Sequence, residues 1–482
     1  MELHYLSAFE LANKIRNKEV SSVELTDAYI NRIEKYDGQI NAVVVRTFEK
    51  AREDAKIADQ ELQKGNVLGP LHGIPMTIKE SYVMEGENTT WGIPAFRNNK
   101  AKKDGLSVKR FRDSGAHFLG KTNVPLNLAD FQSYNEIYGT TNNPWNVSKT
   151  PGGSSGGSAA ALAAGFSSLE AGSDIGGSIR NPAHYCGVFG HKPSHGIIPM
   201  SGHELVPNVP EVDLSVCGPL ARSAKDLNIA LDIMAGPIPR EAKGWQLRLN
   251  ECKIKNLKDF RVAIWNNDDL APVANEISNR CDSIGEKLIN LGATVSFEAR
   301  PEHDKLKGEI NYQLLLQSVM QSGISEEDFK KVTDMAAELK VDDFSVNALL
   351  IKGTVLSHRD WLRQNYGREQ IKVSWEKFFE DWDILICPQL ATTAISHDHR
   401  DFSQRMIKVD NQEQRYFQQI FWPGLAVNAH LPSTVFPTGL SEDKMPIGLQ
   451  AIGAAYEDKK TIKFAELIEK EIGGFSPPSN FD

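Results

Sequence analysis

Apolar positions recur at helical spacing near the start of the chain and again in several later stretches. A Ser-x-x-Glu sequence at residues 21–24 matches a capping box, and apolar residues follow it at intervals of three and four. The same spacing predicts helices over residues 49–63, 275–291, 360–381 and 459–472. An alanine-rich run at 158–165 predicts one more helix, which is buried because small residues permit close contact with a sheet.

Short apolar runs between these helices predict strands. Residues 76–78 follow a glycine- and proline-rich turn and end at Lys79, and the other predicted strands are 116–123, 261–265, 294–297, 384–387, 426–429 and 448–452. Because strands alternate with helices, the pattern favours an α/β/α fold with a central mixed sheet covered by helices on both faces. We expect a single domain over residues 1–482, and the polar segment 237–343 leaves a subdomain or insertion open.

Composition narrows the class of protein. The 482 residues are 40% hydrophobic and 24% charged, which is typical of a globular protein. A net charge of −9 without a basic stripe argues against nucleic acid as a partner. We expect no membrane span, because no stretch of about 18 apolar residues occurs. We also expect no signal peptide and hence a cytoplasmic protein, since the N-terminus lacks a basic region followed by an apolar one.

The cysteines are odd in number and scattered, at positions 186, 217, 252, 281 and 387. None forms a C-x-x-C pair, so the sequence predicts neither a zinc site nor a disulfide framework. We expect reduced, buried thiols, no metal and no cofactor.

Candidate chemistry concentrates in two glycine- and serine-rich blocks, PGGSSGGS at 151–158 and GSDIGGSIRNP at 172–182. A phosphate-binding P-loop is excluded, because no lysine follows the glycines. A nucleophile elbow is formally present at residues 153–157, although no apolar strand precedes it. A third interpretation joins the second block to Lys79 as a base. The backbone N–H groups of Ile175, Gly176, Gly177 and Ser178 would then converge as an oxyanion hole.

Several motifs together resemble the amidase signature family. They lie at residues 73–79, 120–123, 142–145, 152–158, 173–183, 187–193 and 445–450. The resemblance extends from the N-terminal helices to about residue 452. It implies a Ser–Ser–Lys triad in which Ser178 is the nucleophile, Ser154 passes the proton, and Lys79 is the base. The neighbouring Ser155 is the alternative for the proton-passing role.

Other positions receive supporting roles. Asp174 and Arg180 are expected to form a structural pair that holds the second glycine loop. The resemblance places residues 131–133 near the acyl pocket, so Phe131, Gln132 and Ser133 are candidate substrate contacts. The histidines have no metal-ligand context, and we expect surface or packing roles for His184, His191, His397 and His399.

The sequence departs from the family pattern at His191 and Ser194, and we expect effects on packing rather than chemistry. Residues 234–239 lack the acidic positions usual in the A-type subunits of glutamine-dependent amidotransferases. We therefore expect an amidohydrolase that cleaves linear, small-molecule carboxylic amides to acid plus amine or ammonia. Three alternatives stay open: a catalytically silent amidase-like binding module, an α/β-hydrolase esterase and an amidotransferase A-type subunit. A homodimer stays open as well.

Overall fold

The computed structural model describes residues 2–207 and 209–481. Met1 and Asp482, the ends of the predicted 1–482 domain, lie outside the described residues, as does Asn208. The strands are β1 (Val43–Arg46), β2 (Pro75–Lys79), β3 (His117–Thr122), β4 (Tyr134–Asn135), β5 (Gly139–Thr140), β6 (Leu169–Asp174), β7 (Phe189–Lys192), β8 (Val216–Ala221), β9 (Arg261–Ile264), β10 (Thr294–Ser296), β11 (Ile384–Pro388), β12 (Met406–Val409), β13 (Gln412–Arg415), β14 (Ser433–Leu440) and β15 (Pro446–Ile452).

The α-helices of the described residues are α1 (Ala8–Arg16), α2 (Ser22–Ile40), α3 (Phe48–Gln63), α4 (Leu106–Asp113), α5 (Gly156–Ala163), α6 (Arg180–Cys186), α7 (Ala224–Met234), α8 (Asn275–Asn290), α9 (Lys305–Met320), α10 (Glu326–Glu338), α11 (Val346–Thr354), α12 (His358–Asp381), α13 (Phe421–Asn428) and α14 (Asp458–Glu471). Helix α2 begins with the predicted capping box: the Ser21 hydroxyl accepts from the Glu24 N–H, and the Glu24 carboxylate accepts from the Ser21 N–H.

The central sheet has eight strands in the order β10-β9-β11-β15-β14-β7-β8-β6. Strands β10, β9 and β11 run parallel, and every other neighbouring pair is antiparallel. The predicted α/β class and the mixed sheet are therefore confirmed.

Helices cover both faces of this sheet. Along β14, Val435 packs in a cluster with Ala183 of α6, whereas the next residue, Phe436, contacts Phe464 of α14 at a ring distance of 6.1 Å. Side chains of β11 alternate between two hydrophobic clusters in the same way. Successive strand residues point to opposite faces, so a strand buried on both sides reads as an unbroken apolar run.

A second sheet of three strands, in the order β1-β3-β2, carries the predicted base. Strand β2 lies parallel to β3, and Lys79 is opposite Thr122 at the end of the ladder. All five residues of β2 are buried, so its last side chain cannot reach solvent.

One predicted strand is wrong. Residues 426–429 belong to the end of helix α13 and the residue after it, not to a strand. Helix α13 is apolar on all sides and buried almost throughout, and such a segment has no polar face from which its period can be read. The other predicted strands are present with shifts of one or two residues at their ends.

The polar segment 237–343 contributes two strands, β9 and β10, to the central sheet, with helix α8 between them and helices α9 and α10 after them. The division of the chain into domains stays a prediction.

Among the described residues, no helix combines the length and the apolar composition needed to span a bilayer.

Candidate active site

Lys79 ends strand β2 with its side chain completely buried. Its Nζ donates to the Ser154 hydroxyl at 2.6 Å and to the Ser173 hydroxyl at 2.9 Å. No carboxylate forms an ion pair with Lys79 in the described part of the chain. A lysine in this setting has two hydroxyl partners and no counter-ion.

Burial lowers the pKa of Lys79 to about 7. The opposing influence of Cys217, Asp174 and Glu170, which raises this pKa, is smaller than the desolvation. Burial also raises the pKa of Glu170 to about 8, so this neighbouring carboxyl is largely uncharged at neutral pH. Lys79 is therefore neutral in a large fraction of molecules at pH 7.

Ser154 lies in the loop before helix α5, after a cis peptide bond between Gly153 and Ser154. This loop packs directly on the backbone of residues 130–132. A Cβ at Gly153 would lie 2.4 Å from the carbonyl oxygen of Asp130, so the close approach requires glycine. The loop is thereby held against its neighbours with the Ser154 hydroxyl turned toward Lys79.

Ser155 is placed differently. Its hydroxyl is 3.4 Å from both the backbone N–H and the backbone carbonyl of Ser173, and it has no contact with Lys79. No strand runs directly into this loop among the described residues, since the preceding strand, β5, ends at Thr140, so the strand–serine–helix geometry of a nucleophile elbow is missing.

Ser178 lies in the loop between β6 and α6. Its carbonyl oxygen accepts from the Ser155 N–H at 3.0 Å, which ties the two glycine- and serine-rich blocks together. Ser178 keeps 7% of its surface exposed, which is more than Ser154 or Lys79 keeps. The hydrogen bonds between described residues do not include one from Ser178 to Ser154.

Asp174 and Arg180 form a buried ion pair across this loop. The guanidinium reaches the carboxylate through Nε and Nη2, both at 3.0 Å. Burial by itself raises the pKa of Asp174, but the Arg180 guanidinium holds it below its usual value. Arg180 also donates to Gln450 and to the Pro423 carbonyl, so the pair connects the loop to β15 and α13.

The Asp174 carboxylate also binds one of the N–H groups that were expected to form the oxyanion hole. Asp174 accepts hydrogen bonds from the backbone N–H groups of Gly177 at 2.8 Å and Ile179 at 3.1 Å. The Gly177 N–H, predicted to face an oxyanion, therefore has a protein acceptor already. The donors that keep this role as a prediction are Ile175, Gly176 and Ser178.

The predicted substrate contacts are close to the loop, but their polar groups bind the protein. Gln132 exchanges two hydrogen bonds with the backbone of Asp398, at 2.7 and 2.9 Å. The Ser133 hydroxyl donates to the Gly152 carbonyl and accepts from the Gly156 N–H. Phe131 packs in a hydrophobic cluster against Tyr416 and Phe417. The two polar side chains hold loops in place, and the contact of residues 131–133 with substrate stays a prediction.

Three residues near this centre were not singled out from the sequence. Ser173 shares Lys79 with Ser154, Tyr312 donates to the Ile175 carbonyl at 3.0 Å, and Gln389 packs against Gly177. Ser173 is a polar residue in a buried strand, which is a weak signal in the sequence. Tyr312 and Gln389 reach the loop only through tertiary packing, and no local pattern indicates them.

The histidines that were expected to pack make ordinary packing contacts. His184 and His191 are buried and hydrogen-bonded, and His399 stacks on Tyr134 at 3.7 Å. One other group, His195, Asp213 and His430, places its ligand atoms within 4.8 Å of one another. Arg368 donates two hydrogen bonds to Asp213, so a cation there would compete with a guanidinium.

Comparisons with known proteins show the family of the chain. The Amidase family profile matches residues 24–462. The chain is 31% identical to an acylamidase from Rhodococcus erythropolis over 478 residues, which cover 97% of this chain and 95% of that protein. It is 29% identical to the A-type subunit of the glutamyl-tRNA(Gln) amidotransferase of Alkaliphilus metalliredigens over 496 residues, 98% of each.

A solved structure is similar over almost the whole length. It comes from a vestigial protein complex described as revealing the evolutionary origins of an s-triazine catabolic enzyme. The TM-score is 0.80 at 27% identity, over 98% of this chain and 100% of that chain. Since the profile spans most of the sequence and the fold agrees, this chain belongs to the amidase family, the amidase signature enzymes that its motifs resemble.

Proposed function

We propose that this protein hydrolyses a carboxylic amide to an acid and an amine or ammonia through an acyl-enzyme on Ser178. The observation that carries the proposal is the buried Lys79, which is hydrogen-bonded to Ser154 at 2.6 Å and has its pKa lowered to about 7. A base that is neutral near pH 7 can accept a proton, whereas an ordinary lysine with a pKa of about 10.4 cannot.

In the first step the Ser178 oxygen attacks the amide carbonyl carbon. The Ser178 proton passes to Ser154 while the Ser154 proton passes to Lys79, which becomes an ammonium. The carbonyl oxygen becomes an oxyanion, and the N–H groups of Ile175, Gly176 and Ser178 are its proposed donors. Each such donor contributes about 3 kcal/mol to the transition state.

In the second step the carbon–nitrogen bond breaks. Lys79 returns its proton through Ser154 to the leaving nitrogen, so the amine departs neutral and the acyl group stays on Ser178. Water then attacks the ester carbonyl, losing its proton to the same relay, and Ser178 recovers its proton as the acid leaves. Asp174 and Arg180 act on the loop that carries Ser178, not on the reacting atoms.

An amidotransferase A-type subunit is the second candidate, because the Alkaliphilus relative bears that name at 29% identity. The same acyl-enzyme would then form on glutamine, and turnover would require partner subunits. A silent binding module is disfavoured because Lys79, Ser154 and Ser178 are all present. An esterase dependent on histidine is disfavoured because no histidine of the described residues is hydrogen-bonded to Ser154, Ser155 or Ser178.

The test is a hydrolysis screen over aliphatic, aryl and amino-acid amides, with glutamine among them, for the wild type and Ser178→Ala. We expect Ser178→Ala to lose amide turnover by roughly 10⁴- to 10⁶-fold. Ser155→Ala is the matched control, and we expect it to stay within about tenfold of wild type, since its hydroxyl contacts only backbone. A fluorophosphonate should label Ser178 and leave Ser178→Ala unlabelled.

Wild-type rates in Ser178→Ala, or a label on Ser155, would overturn the proposal. Turnover of glutamine alone, and only after partner subunits are added, would favour the amidotransferase. A linear amide as substrate, a cytoplasmic location and a homodimer are further parts of the proposal, and each stays a prediction.

A further inference from the structure

Gln389 follows the last residue of strand β11 and is almost completely buried, with 1% of its surface exposed. Neither Nε2 nor Oε1 of its amide has a hydrogen-bond partner among the described residues. Other buried glutamines nearby are paired: the Gln450 amide accepts from Arg180, and Gln419 joins the Ala391 N–H to the Tyr416 carbonyl. Gln389 therefore differs from both of these glutamines. The Asn181 amide, in helix α6, is also buried without a hydrogen-bond partner among the described residues.

A buried amide that makes no hydrogen bond is costly. Leaving a polar group desolvated and unpaired costs about 1–3 kcal/mol, and most buried polar atoms in folded proteins have partners. An apolar residue of similar size would avoid this cost at position 389. Position 389 holds an amide instead, and a partner from outside the chain would remove this cost.

The location of this amide indicates the use. Its Nε2 lies 2.8 Å from the position that a Cβ would take at Gly177, next to Ser178. On the same loop, a Cβ at Gly176 would meet Ile420 and the Tyr312 hydroxyl. That hydroxyl already donates to the Ile175 carbonyl. Of these three neighbours of the loop, Gln389 alone has an unused donor and an unused acceptor.

We propose that Gln389 is a specificity-determining residue that binds a second polar group of the substrate, a few bonds from the scissile carbonyl. A primary amide side chain offers an N–H donor and a carbonyl acceptor in one plane. A carboxamide or ureido group satisfies both at once, so the substrate class is an amide that carries a second amide-type group. This inference rests on the proposed function.

The test compares matched substrates that differ in that group alone. On the acyl side, succinamoyl para-nitroanilide is paired with isohexanoyl para-nitroanilide, which replaces the terminal carboxamide by an isopropyl group of similar shape. On the amine side, N-acetyl-glycinamide is paired with N-isobutylacetamide. For each pair the ratio of the two kcat/KM values is measured in the wild type and in Gln389→Leu.

In one of the two pairs we expect the wild type to prefer the carboxamide substrate, and Gln389→Leu to lower that preference by about 10- to 100-fold. The loss should fall on the carboxamide substrate, with the apolar one retained or faster. Gln419→Leu is the control for removal of a buried amide. It should slow both substrates of a pair alike and lower the melting temperature, because it leaves the Ala391 N–H and Tyr416 carbonyl unpaired.

Gln389→Leu should fold with a melting temperature equal to or above that of wild type, since it removes an unpaired amide. An unchanged ratio in both pairs would overturn the inference, and so would a melting temperature lowered as much as in Gln419→Leu. Failure of the proposed function looks different: neither substrate of any pair would be cleaved, or Ser178→Ala would cleave both.

Discussion

Lys79 and Lys192 are both completely buried, and burial lowers the pKa of each to about 7. They differ in what they touch. Lys79 contacts two hydroxyls, those of Ser154 and Ser173. Lys192, at the end of β7, donates to the carbonyls of Pro193 at 2.9 Å and Leu431 at 2.7 Å.

This difference separates a base from a structural donor. A hydroxyl can give a proton to a neutral amine and take it back, whereas a backbone carbonyl only accepts. Burial and a lowered pKa are thus common to both lysines and do not by themselves indicate catalysis. The hydrogen-bond partner of each lysine decides whether the lysine can act as a base. Matched variants of the two lysines can therefore test this difference.

Between the two lysines, the largest expected effect is that of removing the Lys79 amine. Lys79→Met should lower kcat for amide hydrolysis by about 10²- to 10⁴-fold, since it removes the proton acceptor. Lys192→Met should keep kcat within about threefold of wild type. Instead, its free energy of unfolding should fall by about 1–3 kcal/mol, because two buried carbonyls lose their hydrogen-bond donor. Steady-state kinetics and thermal unfolding of both variants measure these effects, and equal losses of kcat would remove the distinction.

The next effect is in the pH dependence. Only neutral Lys79 accepts a proton, so kcat/KM should rise with pH up to about 7 and then level off. Below that value it should fall about tenfold for each pH unit, as the neutral fraction falls. Lys192→Met should retain this acid limb unchanged. A pH profile that is flat between 5 and 8, or a limb that moves in Lys192→Met, would contradict the assignment of the limb to Lys79.

The smallest expected effect is that of removing the Ser173 hydroxyl, the second hydrogen-bond partner of Lys79. Ser173 orients the Lys79 amine but exchanges no proton with Ser178, so Ser173→Ala should lower kcat by only about 2- to 10-fold, with KM unchanged. The acid limb should also move to lower pH, because the ammonium form of Lys79 loses a hydrogen-bond acceptor and its pKa falls. A loss as large as that of Lys79→Met would place Ser173 inside the proton relay.

Local patterns predicted part of the fold. Four strands of the central sheet, β9, β10, β11 and β15, and the long helices α8, α12 and α14 follow from apolar runs and helical spacing, and the capping box predicted the start of α2. The other four strands of that sheet, β6, β7, β8 and β14, were not predicted. Residues 426–429 were wrongly predicted as a strand because helix α13, to which residues 426–428 belong, is apolar on every side and has no period to read. That error affects the site, since the Pro423 carbonyl of this helix accepts from Arg180.

Some residues of the site could likewise be predicted from the sequence, and others could not. Lys79, Ser154 and Ser178 could be chosen from the sequence, because glycine-dense motifs surround them and resemble a known family. Gln132 and Ser133 were expected to face substrate, and in the structure their polar groups form hydrogen bonds with the backbone of other loops. Gln389 could not be chosen, because its position beside Gly177 depends on how β11 lies in the sheet.

Local sequence dictates the residue types and their order: a lysine after a buried strand, two serines in glycine-rich blocks, and an acid and an arginine around the second block. Which of these groups meet depends on the folded chain. Lys79 and Ser154 are 75 residues apart, and their contact requires packing between the small sheet and the loop before α5. Packing also removes water from the amine, and this desolvation lowers its pKa to about 7. The extent of this desolvation depends on the residues that the whole folded chain brings around the amine, so no local motif can encode it.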